Sequence, residues 1–192
     1  FAVEDMAVEI EPLANDGDPN GDPLALQTYV QPPQGSLTAL PGNRLLYTPP
    51  ADYNGVASFS YLVTDGRLSA RALVRIEVAP VNDAPSALND VFSVSGGGRT
   101  AELDFLANDV DVDGDRLQLV EVYTPAQAGV TIIVKNLGQF TALPGFSGPI
   151  EIGYHIVDAA GVTAEGMALV QVEGGVPGQQ MRPAAYLPWI GR

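Results

Sequence analysis

The chain has 192 residues, 46% hydrophobic and 17% charged, and its 23 acidic against 9 basic side chains give a formal net charge of −14. This acidic excess argues against binding to nucleic acid or to anionic membranes, because both require clustered Lys and Arg. The lack of cysteine excludes disulfides, thiolate metal sites and cysteine nucleophiles, and no apolar run reaches membrane-spanning length. An excess of carboxylates instead suits divalent cations, Ca²⁺ in particular.

The sequence repeats itself at a distance of 93 positions. LANDGDPNGDPLAL (residues 13–26) and LANDVDVDGDRLQL (106–119) share nine of fourteen residues. A repeat of this length is typical of a small β-sandwich. We therefore expect domains at residues 1–80 and 81–174, followed by an extended hydrophobic tail at residues 175–192.

Both copies consist of short alternating runs separated by Gly, Pro, Asn and Asp, which predicts an all-β fold of two tandem immunoglobulin-like Greek-key β-sandwiches. The strands predicted in the second copy are NDVFSV (89–94), TAELDFL (100–106), LQLVEVY (117–123), VTIIV (130–134), QFTAL (139–143), IEIGYHIVD (150–158) and GMALVQV (166–172). The first copy aligns with this register, with Phe1 opposite Val94. It is therefore expected to lack most of its first strand. Tyr53 stands where a tyrosine-corner residue would.

Acidic residues at alternate positions of the repeated loop suggest metal ligands. They are Asp109, Asp111, Asp113 and Asp115 in the second copy, and Asp16, Asp18, Asn20 and Asp22 in the first. Ca²⁺ takes six to eight hard oxygens, and a glycine in each loop allows the chain to bend around an ion. Neither loop is an EF-hand, because Gln27 and Val120 stand at the position that needs a bidentate Glu. The alternative is that these residues form ordinary Asx turns without an ion.

The topology of an immunoglobulin-like sandwich places this loop, the loop before the last strand and the entering linker at one pole. In the second copy these segments bring together the acidic loop, Asp158 and the linker residue Asp83. We predict that Asp83, Asp111 and Asp113 contribute most to a Ca²⁺ site.

Three motifs resemble one known class of domain. LANDxDxxGDxL, YTPPADYNGxxSFSYxVTDG and VAPVNDAP resemble the tandem cadherin-like, immunoglobulin-like repeats of large bacterial surface proteins, namely RTX-type adhesins and "tandem-95" proteins. The resemblance covers residues 2–173. It implies a secreted module at the bacterial cell surface, adjoining neighbouring repeats of the same protein and often stiffened by Ca²⁺ between domains.

Catalytic motifs are absent from the sequence, so we do not expect an enzyme. No Gly-x-Ser-x-Gly elbow, His-Glu-x-x-His pair or Walker loop occurs. The single histidine, His155, alternates with Tyr154 and Ile156 and is expected to face solvent on a strand.

The tail carries an apolar run, Ala184–Ile190, after a Gly-rich segment, and an exposed apolar segment needs a surface that buries it. Tyr186, Leu187, Trp189 and Ile190 are the candidate assembly residues. Together with the missing first strand they suggest that one subunit donates a strand to the next, giving a head-to-tail filament. A disordered tail, a sorting signal and a chain cut at Phe1 are the alternatives.

The sequence thus predicts an extracellular, non-enzymatic structural or adhesive module. The alternative is a carbohydrate- or surface-binding module of a larger secreted adhesin or enzyme, recognising a surface glycan or a protein. Such modules expose aromatic side chains on a sheet face, for which Tyr29, Tyr123 and Trp189 are the candidates.

Overall fold

The computed structural model describes residues 1–174, and the predicted tail lies outside this part. The described residues form fourteen β-strands and no helix. They divide into two compact units, here called unit 1 (Phe1–Asn82) and unit 2 (from Asp83 onward). The predicted all-β architecture of two tandem sandwiches is confirmed.

Unit 1 is a sandwich of a four-stranded sheet, ordered β1-β7-β6-β3, and a three-stranded sheet, ordered β2-β5-β4. Its strands are β1 (Ala2–Val3), β2 (Val8–Ile10), β3 (Ala25–Tyr29), β4 (Ser36–Leu40), β5 (Arg44–Thr48), β6 (Gly55–Thr64) and β7 (Ser69–Ala79). The pairing of β1 with β7 is parallel and covers only Val78 and Ala79. All other strand pairs in unit 1 are antiparallel.

Unit 2 repeats this arrangement, with sheets ordered β8-β14-β13-β10 and β9-β12-β11. Its strands are β8 (Asp90–Ser95), β9 (Thr100–Leu103), β10 (Gln118–Tyr123), β11 (Gly129–Val134), β12 (Leu137–Ala142), β13 (Gly148–Val157) and β14 (Thr163–Glu173). Here the parallel first strand is complete, and β8 pairs with β14 from Ala168 to Glu173.

One predicted strand is shorter in the structure. The run TAELDFL was expected to be extended to residue 106, but β9 ends at Leu103. The chain turns because a carboxylate oxygen of Asp104 accepts a hydrogen bond from the Leu106 N–H at 3.3 Å. Local side-chain bonding of this kind competes with a strand ladder.

Strand alternation builds each core. On β6, Phe59, Tyr61 and Val63 are buried and the residues between them are partly exposed. Ile152, Tyr154 and Ile156 occupy the corresponding face of β13 and are at most 1% exposed. Burying side chains of this size contributes roughly 1.5–3 kcal/mol each, so every unit has its own source of stability.

The two cores fill one position in different ways. In unit 2 a Cβ on Gly138 would lie 2.3 Å from Cε2 of Phe105, whose ring is fully buried. In unit 1 the aligned residues are Leu45 and Pro12, both buried. A small residue beside a large one is thus exchanged for two of intermediate size, which preserves the packed volume.

Candidate functional site

The acidic loop of unit 2 joins β9 to β10 and is organised by Asp111. One carboxylate oxygen of Asp111 accepts hydrogen bonds from the N–H groups of Asp113 at 3.0 Å and Asp115 at 3.2 Å. Gly114 between them has a φ of 78°, a left-handed conformation that glycine adopts without a Cβ penalty. The loop is therefore an Asx turn that holds several carboxylates close together.

Carboxylates of this loop bind the backbone of the linker that enters unit 2. The Leu88 N–H donates to Oδ1 of Asp109 at 2.7 Å, and the Asp83 N–H donates to Oδ2 of Asp113 at 2.8 Å. A carboxylate oxygen of Asp83 lies within 4.8 Å of one on Asp113. The linker and the loop are thus brought together, as predicted for one pole of the sandwich.

The turn between β13 and β14 joins the same group. Oδ2 of Asp115 accepts the Ala159 N–H at 3.3 Å. The Asp158 side chain is 3% exposed, and its Oδ1 accepts the Val162 N–H at 2.7 Å, which closes this turn. Asp158 is therefore placed to shape the turn, while Asp115 connects the turn to the loop.

Three carboxylate oxygens of unit 2 are buried without a hydrogen-bond partner among the described residues. They are the Oδ2 atoms of Asp90, Asp109 and Asp111. A buried ionised carboxylate is costly unless a donor or a cation compensates it. Their carboxylate oxygens are the type of ligand that Ca²⁺ prefers.

The electrostatics of this pole show the same cost. Burial raises the pKa of Asp90 to about 6, with a further contribution from the nearby Asp109 charge and despite a favourable hydrogen bond from Tyr154. Burial also raises the pKa of Asp109. The Tyr154 hydroxyl donates to the Leu88 carbonyl at 2.7 Å and to Asp109 at 3.2 Å, and burial raises its pKa. A cation would relieve the penalty on both carboxylates.

Sequence reasoning missed Asp90, which it assigned only to a strand. The alternation of β8 is the signal that could have found it, because Asp90 lies on the same inward face as Val94, whereas Val91 faces out. Tertiary contact with Tyr154 then decides its environment.

The acidic loop of unit 1 has the same backbone plan but a more open setting. Oδ1 of Asp18 accepts the N–H groups of Asn20 at 2.7 Å and Asp22 at 3.1 Å, and Oδ2 of Asp16 accepts the Tyr61 hydroxyl at 2.8 Å. Asn20 and Asp22 are exposed. None of the buried unpartnered oxygens of the described residues lies in this loop. The four predicted ligands therefore fit a cation less well than those of unit 2.

An open cleft of about 480 Å³ lies between the unit 1 loop and the turn at Gly42 and Asn43. Acidic side chains contribute much of its lining, including Glu11, Asp16 and Asp18. Asn43 is already engaged, because its side-chain oxygen accepts the Leu26 N–H at 3.1 Å.

A second acidic group of unit 1 was also missed from the sequence. Glu4 is 2% exposed, and its carboxylate accepts hydrogen bonds from the Val81 N–H and from Nδ2 of Asn54. Oδ1 of Asp5 accepts the Asp52 N–H at 3.1 Å. These bonds attach the segment after β1 to Val81, which follows β7, and to residues 52–54, which precede β6, a proximity that no local pattern reveals.

His155 lies on the outer face of β13 between two cross-strand glutamates. Its Nδ1 is 3.5 Å from Glu121, its Nε2 is 3.2 Å from Glu165, and its side chain is 26% exposed. Its ring meets that of Tyr123 edge-on at 5.2 Å. The residue thus pairs with neighbouring strands and is less exposed than predicted, because two glutamates and an aromatic ring cover it.

The tyrosine corner is only approximate. The Tyr53 hydroxyl donates to the Val56 carbonyl at 2.9 Å, three residues downstream, and unit 2 has Phe146 at this position.

Comparison with protein families identifies the chain. The model of the bacterial Ig domain matches residues 1–77 and again residues 82–171. The chain belongs to the bacterial Ig domain family. The predicted resemblance to tandem immunoglobulin-like repeats of bacterial proteins is therefore confirmed. Domains of this family are typically extracellular, and their fold is typical of non-enzymatic modules.

Solved structures show the cadherin-like fold. Human Protocadherin-24 EC1-2 has a TM-score of 0.54 and 17% identity, covering 83% of this chain and 85% of that one. An endo-fucoidan hydrolase of glycoside hydrolase family 107 has a TM-score of 0.34 and 21% identity, with 89% of this chain but only 27% of the hydrolase covered. This bacterial Ig chain thus spans about a quarter of that enzyme's length. No curated protein matches the sequence. No helix suited to crossing a membrane occurs among residues 1–174.

Proposed function

We propose that this bacterial Ig chain is an extracellular structural and adhesive module whose second domain binds Ca²⁺. The observation that carries the proposal is the pair of buried, unpartnered Oδ2 atoms on Asp109 and Asp111, beside the linker that enters unit 2. The family and the cadherin-like fold support an extracellular location and a non-catalytic role.

Asp83, Asp109, Asp111 and Asp113 are the residues that would hold the ion, with Asp115 shaping the loop. When bound, the cation supplies positive charge to carboxylates that otherwise repel one another. Because two of these residues bind linker N–H groups, charge neutralisation would also hold the linker against the loop. The linker would then bend less, which suits a module that bears mechanical load.

The test is thermal unfolding of the full chain in Ca²⁺ and in a chelator. We expect Ca²⁺ at about 100 times its Kd to stabilise unit 2 by roughly 2.7 kcal/mol, which raises its Tm by on the order of 10 °C. Asp111→Asn should abolish most of this shift. The matched control is Asp18→Asn, which makes the same change at the aligned position of unit 1 and should leave the unit 2 shift intact.

A Tm that is equal in Ca²⁺ and in chelator would contradict the calcium proposal. Equal loss of the shift in both variants would instead show a non-specific effect of ions on the acidic chain.

We also propose that copies of the chain associate head-to-tail through the apolar tail, with Tyr186, Leu187, Trp189 and Ile190 making the contact. The apolar run of the tail supports this proposal, because an exposed apolar segment needs a surface that buries it. Electron microscopy of the full chain should show filaments, and removal of residues 182–192 should abolish them. Normal filaments without these residues would contradict the role of the tail.

The described aromatic residues favour a structural module over a glycan-binding module. Tyr123 is 49% exposed but its ring packs against His155, and Tyr29 is partly buried against the core of unit 1.

A further inference from the structure

Strand β11 of unit 2 lies at the edge of its three-stranded sheet and lacks the features that usually protect such an edge. Among residues 1–174 it pairs with β12 alone, from Gly129 to Val134. Edge strands of soluble proteins commonly carry a charged residue, a proline or a bulge that discourages pairing with another chain. The sequence of β11 contains no charge and no proline, and its pairing with β12 has no register shift. The strand is therefore a regular, uncharged template for a further strand.

The side chains of β11 form an exposed apolar surface. Val130 and Ile132 lie on the outer face of the sheet and are 57% and 56% exposed. Ile133 lies on the opposite face and is still 37% exposed, as expected beside an open edge. Exposed apolar side chains this close together are typical of a surface that binds another protein.

Unit 1 shows that the fold does not require these apolar residues. Its strand β4 has the same place in the sandwich, at the edge of the sheet next to β5. Thr38 of β4 corresponds to Ile132, because their strand partners, Leu46 and Gln139, are aligned in the repeat. The apolar outer face at this position is thus a property of unit 2 that folding alone does not explain.

The hairpin of β11 and β12 determines which backbone groups face the free edge. Its two-residue turn at residues 135–136 has φ values of 51° and 70°, so Val134 and Leu137 at the strand ends exchange hydrogen bonds. Residues that bond to the neighbouring strand alternate with residues that point away from it. The backbone N–H and C=O groups of Thr131 and Ile133 therefore face the free edge.

We propose that two copies of the chain associate side by side through antiparallel pairing of β11 with β11 of the second copy, about a twofold axis at Ile132. In this register Thr131 of each copy lies opposite Ile133 of the other, and the backbones exchange hydrogen bonds at both pairs. On the outer face Ile132 lies opposite its own copy and Val130 lies opposite Val134, so every facing pair is apolar. This contact is separate from the calcium site and from the tail.

Neighbouring registers satisfy fewer backbone groups. An axis at Thr131 would place Ile133 opposite Gly129, whose N–H already donates to the Pro125 carbonyl at 3.4 Å. An axis at Ile133 would place Thr131 opposite Lys135, which lies in the turn with a φ of 51°. The axis at Ile132 uses the edge-facing groups of Thr131 and Ile133 in both copies.

Charge also favours a second copy as the occupant of this edge. Residues 122–150 contain no acidic side chain and one basic side chain, Lys135, in a chain with a net charge of −14. Two acidic copies can therefore meet here with little like-charge repulsion. In the proposed register the two Lys135 residues lie at opposite ends of the paired strands, roughly 20 Å apart. Residues 23–51 of unit 1 are equally free of acidic side chains, so the apolar side chains of β11 distinguish the two edges.

Single-cysteine variants of the full chain test the pairing, because the chain has no cysteine of its own. Ile132→Cys would place two thiols opposite each other in a non-hydrogen-bonded pair, where Cα atoms about 4.5 Å apart are within the reach of a disulfide. Mild oxidation should then give a disulfide-linked dimer on a non-reducing gel. Val130→Cys is the matched control, because it is equally exposed on the same face of the same strand. Its two copies would lie roughly 13 Å apart and should crosslink on the order of tenfold more slowly.

A mixture of two variants tests the register. Val130→Cys and Val134→Cys lie opposite each other in the proposed pair, so together they should form mixed dimers faster than either forms dimers with itself. Mass spectrometry of the crosslinked product identifies the mixed species.

A charge at the axis provides a second measurement. Ile132→Lys would place like charges directly opposite each other and should weaken dimerisation on the order of tenfold or more, measured by sedimentation. Thr38→Lys makes the same change in charge at the corresponding position of unit 1 and should leave dimerisation unchanged. Circular dichroism should show both variants folded.

The crosslinking rates decide the proposal. Equal rates for Ile132→Cys and Val130→Cys would indicate random collision and overturn it. The absence of a dimer in both would also overturn it, whether the edge is then open or covered by another segment such as residues 175–192. Head-to-tail assembly joins different surfaces of neighbouring copies, so it does not bring residue 132 of one copy to residue 132 of the next. Failure of this inference would therefore leave the tail proposal standing.

Discussion

Asp90 is 7% exposed at the inner face of β8, beside Asp109 and Tyr154. Its carboxyl is retained at a position where an apolar residue would pack without a desolvation cost. Because the two neighbouring carboxyls, Asp109 and Asp104, also raise its pKa, the residue is best accommodated when protonated or when a cation is bound nearby.

The raised pKa predicts the direction of a pH dependence. The pKa of Asp90 is about 6 in the folded chain against an ordinary value of 3.8, so the unfolded state releases this proton first as pH rises. Without divalent cations, the stability of unit 2 should therefore fall from about pH 4 to about pH 6 and then level off, by on the order of 2–3 kcal/mol from this group. Asp90→Asn should reduce this loss.

Urea unfolding at a series of pH values measures the effect. Glu151→Gln is the control, since it removes one carboxylate charge from an exposed position of β13 and should leave the pH dependence nearly unchanged. If the unfolding free energy of Asp90→Asn changes with pH as steeply as that of the parent chain, other carboxyls cause the pH dependence.

At the scale of the strand, β12 depends on a glycine at its inner face. Gly138 is buried, and the Cβ of an alanine there would meet the fully buried ring of Phe105. Gly138→Ala should therefore destabilise unit 2 by about 1–3 kcal/mol through displacement of that ring. Gly153→Ala on β13 is the control, because its Cβ would lie 3.7 Å from its nearest neighbour, an ordinary contact.

Chemical unfolding of both glycine variants checks this prediction. Comparable stability of the two would show that Phe105 can move without cost. Replacing Phe105 by Leu together with Gly138→Ala should recover part of the loss, because the aligned pair in unit 1 is Pro12 and Leu45.

At the scale of the whole molecule, the stability of the chain is divided between two cores. Phe59 in unit 1 and Ile152 in unit 2 stand at aligned positions and are 3% and 0% exposed. Phe59→Ala and Ile152→Ala should each cost about 2–5 kcal/mol. Calorimetry should show that each variant lowers the transition of its own unit and leaves the other in place. A single transition lowered by both would show that the units unfold as one.

The sequence alone determined the strand pattern, the repeat and the position of the acidic loops. These features are local, because a strand alternates with period two and an Asx turn forms within a few residues. The inward set Phe59, Tyr61 and Val63 was therefore predictable from the sequence, and so was the inward-facing set on the last strand, where Ile76 and Val78 are buried. The end of β9 was not, because one Asp104 hydrogen bond outweighed the alternation.

Only the tertiary structure decided which carboxylates are buried and what they contact. Asp90 and Glu4 resemble ordinary acidic residues in the sequence, yet each is buried against segments distant along the chain. The parallel pairing of β8 with β14 likewise joins residues more than 70 positions apart. Burial and pairing at such distances arise from packing, and packing depends on the whole sandwich rather than on any short stretch of sequence.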